Sequence, residues 1–110
     1  MNQLDQTLSA LADPMRRSVI DLLRRKPRPA SALADALRLS RPAMSRHLRV
    51  LRASGLVEEH HPADDARYRV YSLRPEPFAN MRVWLNEVES FWSHQLNSLK
   101  EHIERSADQG

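Results

Sequence analysis

Between Ser40 and Ala53 the chain carries Arg41, Arg46, Arg49 and Arg52, two serines and a histidine, and no acid. Guanidinium groups pair bidentately with phosphates and with the acceptor edge of guanine, and hydroxyls donate to both, so the chemistry on offer is recognition of a polyanion. Wound as a helix, the segment places Met44, Leu48 and Leu51 at i, i+4 and i+7 on one apolar stripe, while Pro42, Arg46 and Arg49 point almost directly away. Ser40 stands where the N-cap belongs. One face packs; the other is basic and free to meet double-stranded DNA. The candidate DNA-binding residues are therefore Ser40, Arg41, Pro42, Ala43, Ser45, Arg46 and Arg49, with Arg46 and Arg49 best suited to guanine or phosphate. His47 falls on the flank near the packing side, where it either orients a phosphate contact or packs.

The charge around this segment is strongly uneven. Residues 14–53 hold eleven of the seventeen Lys and Arg and only two acids, Asp21 and Asp35, which leaves that module at +9 and the remainder at −6 within a net +3. A basic module between acidic flanks points to an acidic partner for one surface, nucleic acid being the usual one. Other chemistries fare badly. With no cysteine there are no disulfides and no thiolate metal sites. Ser45 and His47 are two apart on different helical faces, and two glycines cannot furnish an oxyanion loop or a phosphate-binding loop, so no enzyme is expected. The start Met-Asn-Gln-Leu-Asp has no basic segment followed by an apolar run, and no stretch approaches the roughly 20 apolar residues of a membrane span. These features predict a soluble cytoplasmic protein, with 110 residues forming one small domain.

The elements that must position the basic helix can be read from their punctuation. Leu4, Leu8 and Leu11 stripe a first helix over 1–12, and Asp13-Pro14 supplies a cap and a proline at the first position of a second helix over about 14–25. Its inward residues are expected to be Met15, Val19, Leu22 and Leu23, with Ile20 at the margin, and it ends in the basic, proline-punctuated run 24–29. Ser31 is placed to cap a third helix carrying Leu33, Ala34 and Leu37, and Arg38-Leu39 makes the turn into the capped basic helix. Helix, tight turn, basic helix over 31–53 is a helix-turn-helix. Gly55 sits just past the C-cap, after which the period changes to two β-leaning runs within 56–73, separated by turn chemistry at 62–66. A hairpin after a recognition helix is a wing. Arg67 and Arg69, two apart, would share a face of its returning strand and reach backbone or minor groove, or else pair across the hairpin with Glu58 or Glu59.

From Pro75 to about 104 the chain reads as one long helix, followed by a flexible tail at 105–110. Phe78, Met81, Leu85, Val88, Trp92, Leu96, Leu99 and Ile103 repeat at spacings of three and four, with Trp84 and Phe91 widening the stripe. Such a helix is about 40 Å long, more than a small winged-helix core can cover. The excess apolar face is expected to meet a second copy, giving a homodimer through Leu4, Leu8 and Leu11 of the first helix and Trp84, Leu85, Val88, Phe91, Trp92, Leu96 and Leu99 of the last. The fold expected is mostly α with a small β-hairpin, a winged helix-turn-helix dimerising through its terminal helices.

Ala10-Leu11-Ala12-Asp13-Pro14-Met15-Arg16-Arg17, Leu22-Leu23, the run from Ser40 to Leu51, Gly55-Leu56-Val57 and Tyr71-Ser72-Leu73 together resemble the ArsR/SmtB-type winged-helix repressors. The resemblance covers the chain to about residue 104. It implies a homodimer that binds an inverted-repeat operator and usually represses transcription, with the residues matching Ser40 to Arg49 facing the major groove and the wing reaching the adjacent backbone. Two departures stand out. Arg38 occupies a turn position where glycine is common, and the stretch Ala30–Leu37 lacks the cysteine motif of the family's metal sensors. The chain thus resembles the branch without that motif, for which no cofactor and no obligatory small-molecule ligand are expected. Two alternatives fit the same sequence. His94 and His102, with Glu101, Glu104 or Asp108 and a partner subunit, could build a nitrogen and oxygen site for zinc or nickel. A winged-helix module for protein contacts would show no salt-dependent DNA affinity.

Overall fold

The computed structural model describes residues 2–62 and 68–109. In chain order the elements are α1 (Gln3–Leu11), α2 (Pro14–Leu23), β1 (Arg28–Pro29), α3 (Ala30–Leu37), α4 (Arg41–Ala53), β2 (Val57–His60), β3 (Val70–Leu73) and α5 (Pro75–Gln109). They fall into two compact units, Met1–Phe78 and Ala79–Gly110.

In the first unit, helices α1 to α4 and a three-stranded antiparallel sheet enclose one core. Its buried members include Val19 and Leu23 of α2, Leu33 of α3, Met44, Leu48 and Leu51 of α4, and Leu56, Val57 and Tyr71 of the wing. The apolar stripe expected on the basic helix is therefore the face that α4 buries. On α2, Ile20 is buried while Met15 and Leu22 are only partly so. On α1 the buried positions are Thr7 and Ala10, with Leu8 exposed. Thr7 Oγ1 donates to the Gln3 carbonyl at 3.0 Å, which satisfies the hydroxyl and permits its burial.

Helix ends carry much of the local order. Asp13 caps α2 by accepting from the Met15 and Arg16 amides at 2.7 and 3.1 Å. The last carbonyls of α1 are met by arginines: Arg16 Nε donates to Ala10 O and Arg17 Nη1 to Leu11 O, both at 2.7 Å. Both helices of the helix-turn-helix end the same way. Leu39 N–H reaches back to Ala34 O at 2.9 Å and Arg38 N–H to Asp35 O at 3.3 Å, while Leu56 N–H reaches Leu51 O and Gly55 N–H reaches Arg52 O, each at 3.0 Å. These are paired Schellman closures, and they require a left-handed residue at the C′ position. Gly55 supplies it at φ +78°, and Arg38 supplies it at φ 54° despite its side chain.

Three expectations are corrected. Ser31 does not cap α3: the helix begins at Ala30 behind Pro29, and no side-chain hydrogen bond caps it. The cause is β1, whose Arg28 and Pro29 pair with Tyr71 and Val70 and hold the backbone extended up to the helix start. The returning wing strand is Val70–Leu73, with Val70 paired to His60, so it starts later than expected and Arg69 precedes it. Arg67 lies outside the described residues. Finally, α5 runs to Gln109, five residues past the expected end, because no glycine or proline interrupts the chain between Phe78 and Gly110.

In the second unit, α5 exposes a row of large apolar side chains that includes Val83, Leu85, Val88, Phe91, Trp92, Leu96, Leu99 and Ile103. Among the described residues no helix is long and apolar enough to cross a membrane.

Candidate nucleic-acid interface

The interface is built on α4. Ser40 Oγ accepts from the Ala43 amide at 3.2 Å and fixes the helix start, with Pro42 in the first turn, where its missing N–H costs nothing. With Met44, Leu48 and Leu51 anchored in the core, helix geometry presents Arg41, Pro42, Ser45, Arg46 and Arg49 to solvent, all exposed; Ala43 and His47 are half-buried on the flanks. None of the ion pairs among the described residues involves Arg41, Arg46 or Arg49. Three guanidinium groups on one capped helix thus face water with no acid partner among the described residues.

The other basic residues of the 14–53 module are partly engaged elsewhere. Arg16 and Arg17 close α1, and Arg24 lies 3.6 Å from Asp21. The charge count of that segment therefore overstates its free basic surface.

Arg52, the fourth arginine of α4, has a partner that sequence reasoning left out. Its Nη1 lies 2.9 Å from Glu59 Oε2, and Arg69 Nε lies 3.3 Å from Glu59 Oε1. His61 Nε2 approaches the same carboxylate at 3.5 Å, and Tyr71 Oη donates to it at 3.3 Å. The Glu59 side chain is only 9% exposed. Burial, with the Glu59 charge beside it, pushes the Tyr71 hydroxyl above its usual range, so it remains a donor. Arg69 thus pairs across the hairpin with one of the two acids considered for it, while its side chain stays well exposed. The signal for Glu59 was present in the alternation of β2: residues two apart share a face, so an acid two after the buried Val57 points inward and needs cations. Helix and wing meet at a cleft of about 200 Å³ lined by Ser45, Leu48, Arg49, Arg52, Arg69 and Tyr71.

The remaining candidate residues belong to α1 and α5. Leu4 and Leu11 are half-buried and Leu8 is exposed on α1, while Trp84, Leu85, Val88, Phe91, Trp92, Leu96 and Leu99 are exposed on α5. His94 and His102 are also exposed on α5, and among the described residues no group of three His, Cys, Asp or Glu side chains is arranged to hold a metal ion.

Residues 11–60 match a family model described as a helix-turn-helix domain. Over 104 residues, 94% of this chain and 92% of the relative, the sequence is 36% identical to the HTH-type transcriptional regulator Rv2034 of Mycobacterium tuberculosis. The crystal structure of an ArsR family transcriptional regulator, RHA00566, superposes with a TM-score of 0.75 at 34% identity, covering 84% of this chain and 98% of that one. A solution structure of the homodimeric winged helix-turn-helix DNA-binding domain of Mb0332 from Mycobacterium bovis, a possible ArsR-family regulator, gives a TM-score of 0.63 at 26% identity, covering 80% and 79%.

Proposed function

Since the chain belongs to the ArsR/SmtB family of winged helix-turn-helix transcriptional regulators, we propose that it acts in the cytoplasm as a homodimeric repressor on an inverted-repeat operator. The observation that carries the reading is the face of α4. Arg41, Arg46 and Arg49 stand exposed and without an acid partner among the described residues, opposite a stripe that the core holds still. A helix bearing exposed guanidinium groups fits the major groove, which Ser40, Arg41, Pro42, Ala43, Ser45, Arg46 and Arg49 approach, Arg46 and Arg49 reaching guanine edges or phosphates. The amides of the capped first turn, with the helix dipole, add a phosphate contact. His47 and Arg69 sit at the margins of this footprint.

The second copy is supported by α5, whose exposed row of large apolar side chains is the kind of surface that marks a protein–protein contact. Joined there and through α1, two copies would set their recognition helices about 34 Å apart, one turn of DNA, and a dimer seated on a promoter would exclude polymerase. The direct test is a titration of DNA from the protein's own promoter region with Arg46→Ala and Arg49→Ala. Each is expected to lose about 1–3 kcal/mol of binding, with relaxed discrimination at one base position if a base edge is read. Unchanged affinity in both variants would overturn the assignment of α4.

A further inference from the structure

We infer that Glu59 is a positioning residue for DNA binding: by holding Arg52 and Arg69 beside Arg49 at the cleft between α4 and the wing, it builds a seat for one backbone phosphate. An acid this near a DNA-binding face is at first sight a liability, since its charge repels phosphate. Its geometry says otherwise. The carboxylate is almost wholly withdrawn from solvent and spends both oxygens on its own protein, Oε2 on Arg52 and Tyr71, Oε1 on Arg69 and His61. What remains at the surface is the outward side of two guanidinium groups whose side-chain torsions are fixed before DNA arrives. Arg52 and Arg69 are 53% and 63% exposed, so each keeps donors facing the cleft.

With Arg49 and Ser45 also lining it, the cleft presents three guanidinium groups and a hydroxyl around about 200 Å³. Glu59 neutralises one of those three cations, and the excess positive charge suits a phosphodiester monoanion. The arrangement also ties the last turn of α4 to β2 and the approach to β3, so one contact registers helix and wing against the same strand. Long arginine side chains lose much rotamer freedom when they close on a phosphate, and the buried acid removes that loss in advance.

The inference rests on the proposal that α4 and the wing bind DNA, and it makes a prediction of opposite sign to simple charge counting. Deleting an acid should tighten DNA binding and steepen its salt dependence if only net charge matters. Under the inference, Glu59→Gln weakens binding to mixed-sequence duplex DNA roughly tenfold and makes the slope of log K against log salt shallower by about 1 for each arginine released. Fluorescence anisotropy over a salt series reads both quantities, and mixed-sequence DNA suffices because a phosphate contact is independent of sequence. Partial unfolding lowers the active fraction without changing the slope, which separates positioning from stability. Should Glu59→Gln fail to fold, Arg52→Lys carries the test: it keeps the charge but loses the planar fork, and weaker binding is again expected. Binding that is unchanged or tighter in the folded variant overturns the inference. Wild-type protein with no salt-dependent DNA affinity instead overturns the DNA-binding reading beneath it.

Discussion

At the scale of single residues, Arg38 and Glu59 show how far a residue's surroundings govern its role. Arg38 is the one non-glycine residue with positive φ among those described, and it closes α3 at the turn into the recognition helix. A side chain in that conformation costs about 1–2 kcal/mol, which glycine avoids at some cost in unfolded-chain entropy. Arg38→Gly is therefore expected to stabilise the fold by about 1 kcal/mol and to raise Tm by about 4–8 °C in a thermal melt; a lower Tm would show that the arginine side chain itself holds the turn. The exposed guanidinium groups of Arg41, Arg46 and Arg49 were legible from sequence, because helical phase alone decides which way they point once Met44, Leu48 and Leu51 are buried. Arg16, Arg17 and Arg52 were not, because their partners are carbonyls of α1 and a carboxylate of β2, and no local pattern encodes those meetings.

At the scale of elements, capping chemistry marks where helices begin and long-range pairing shifts those marks. The Asp13 cap on α2 and the Ser40 cap on α4 formed where their sequence placed them. The expected Ser31 cap did not, since β1 holds the chain extended through Pro29 and a two-residue strand has no periodicity to betray it. The start of the returning wing strand and the far end of α5 were likewise set by pairing and by the absence of breakers rather than by composition. The Asp13 cap has a pH signature. The hydrogen bond from the Arg16 amide, reinforced by that from Met15, holds its carboxyl below the ordinary carboxylate range. A group with a lowered folded-state pKa stabilises the protein above its unfolded value and loses that contribution as pH falls through the folded one. Asp13→Ala should therefore melt below wild type at neutral pH, and the gap should narrow as pH drops beneath about 4. A gap that stays constant down to acidic pH would show that the charged cap contributes nothing.

At the scale of the whole molecule, the question is what covers the apolar row of α5. Phe91 and Trp92 are 66% and 61% exposed, so neither supports the fold of an isolated chain, and Trp84, Val88, Phe91 and Trp92 line one concavity on this helix. Exposed aromatics of this kind make interface anchors. Trp92→Ala is expected to weaken self-association by about 2 kcal/mol or more while leaving helix content intact, seen as a shift toward monomer in sedimentation velocity. A variant that remains fully dimeric at the same concentration would place the interface elsewhere.

Gln3 Nε2 donates to the Ser54 carbonyl at 2.9 Å, a bond between residues 51 apart in sequence that fastens the first turn of α1 to the exit of α4. The beginning of the chain and the end of α4 are therefore mechanically one piece. If α4 reads DNA as proposed, a substitution at position 3 is expected to alter how that helix is aimed.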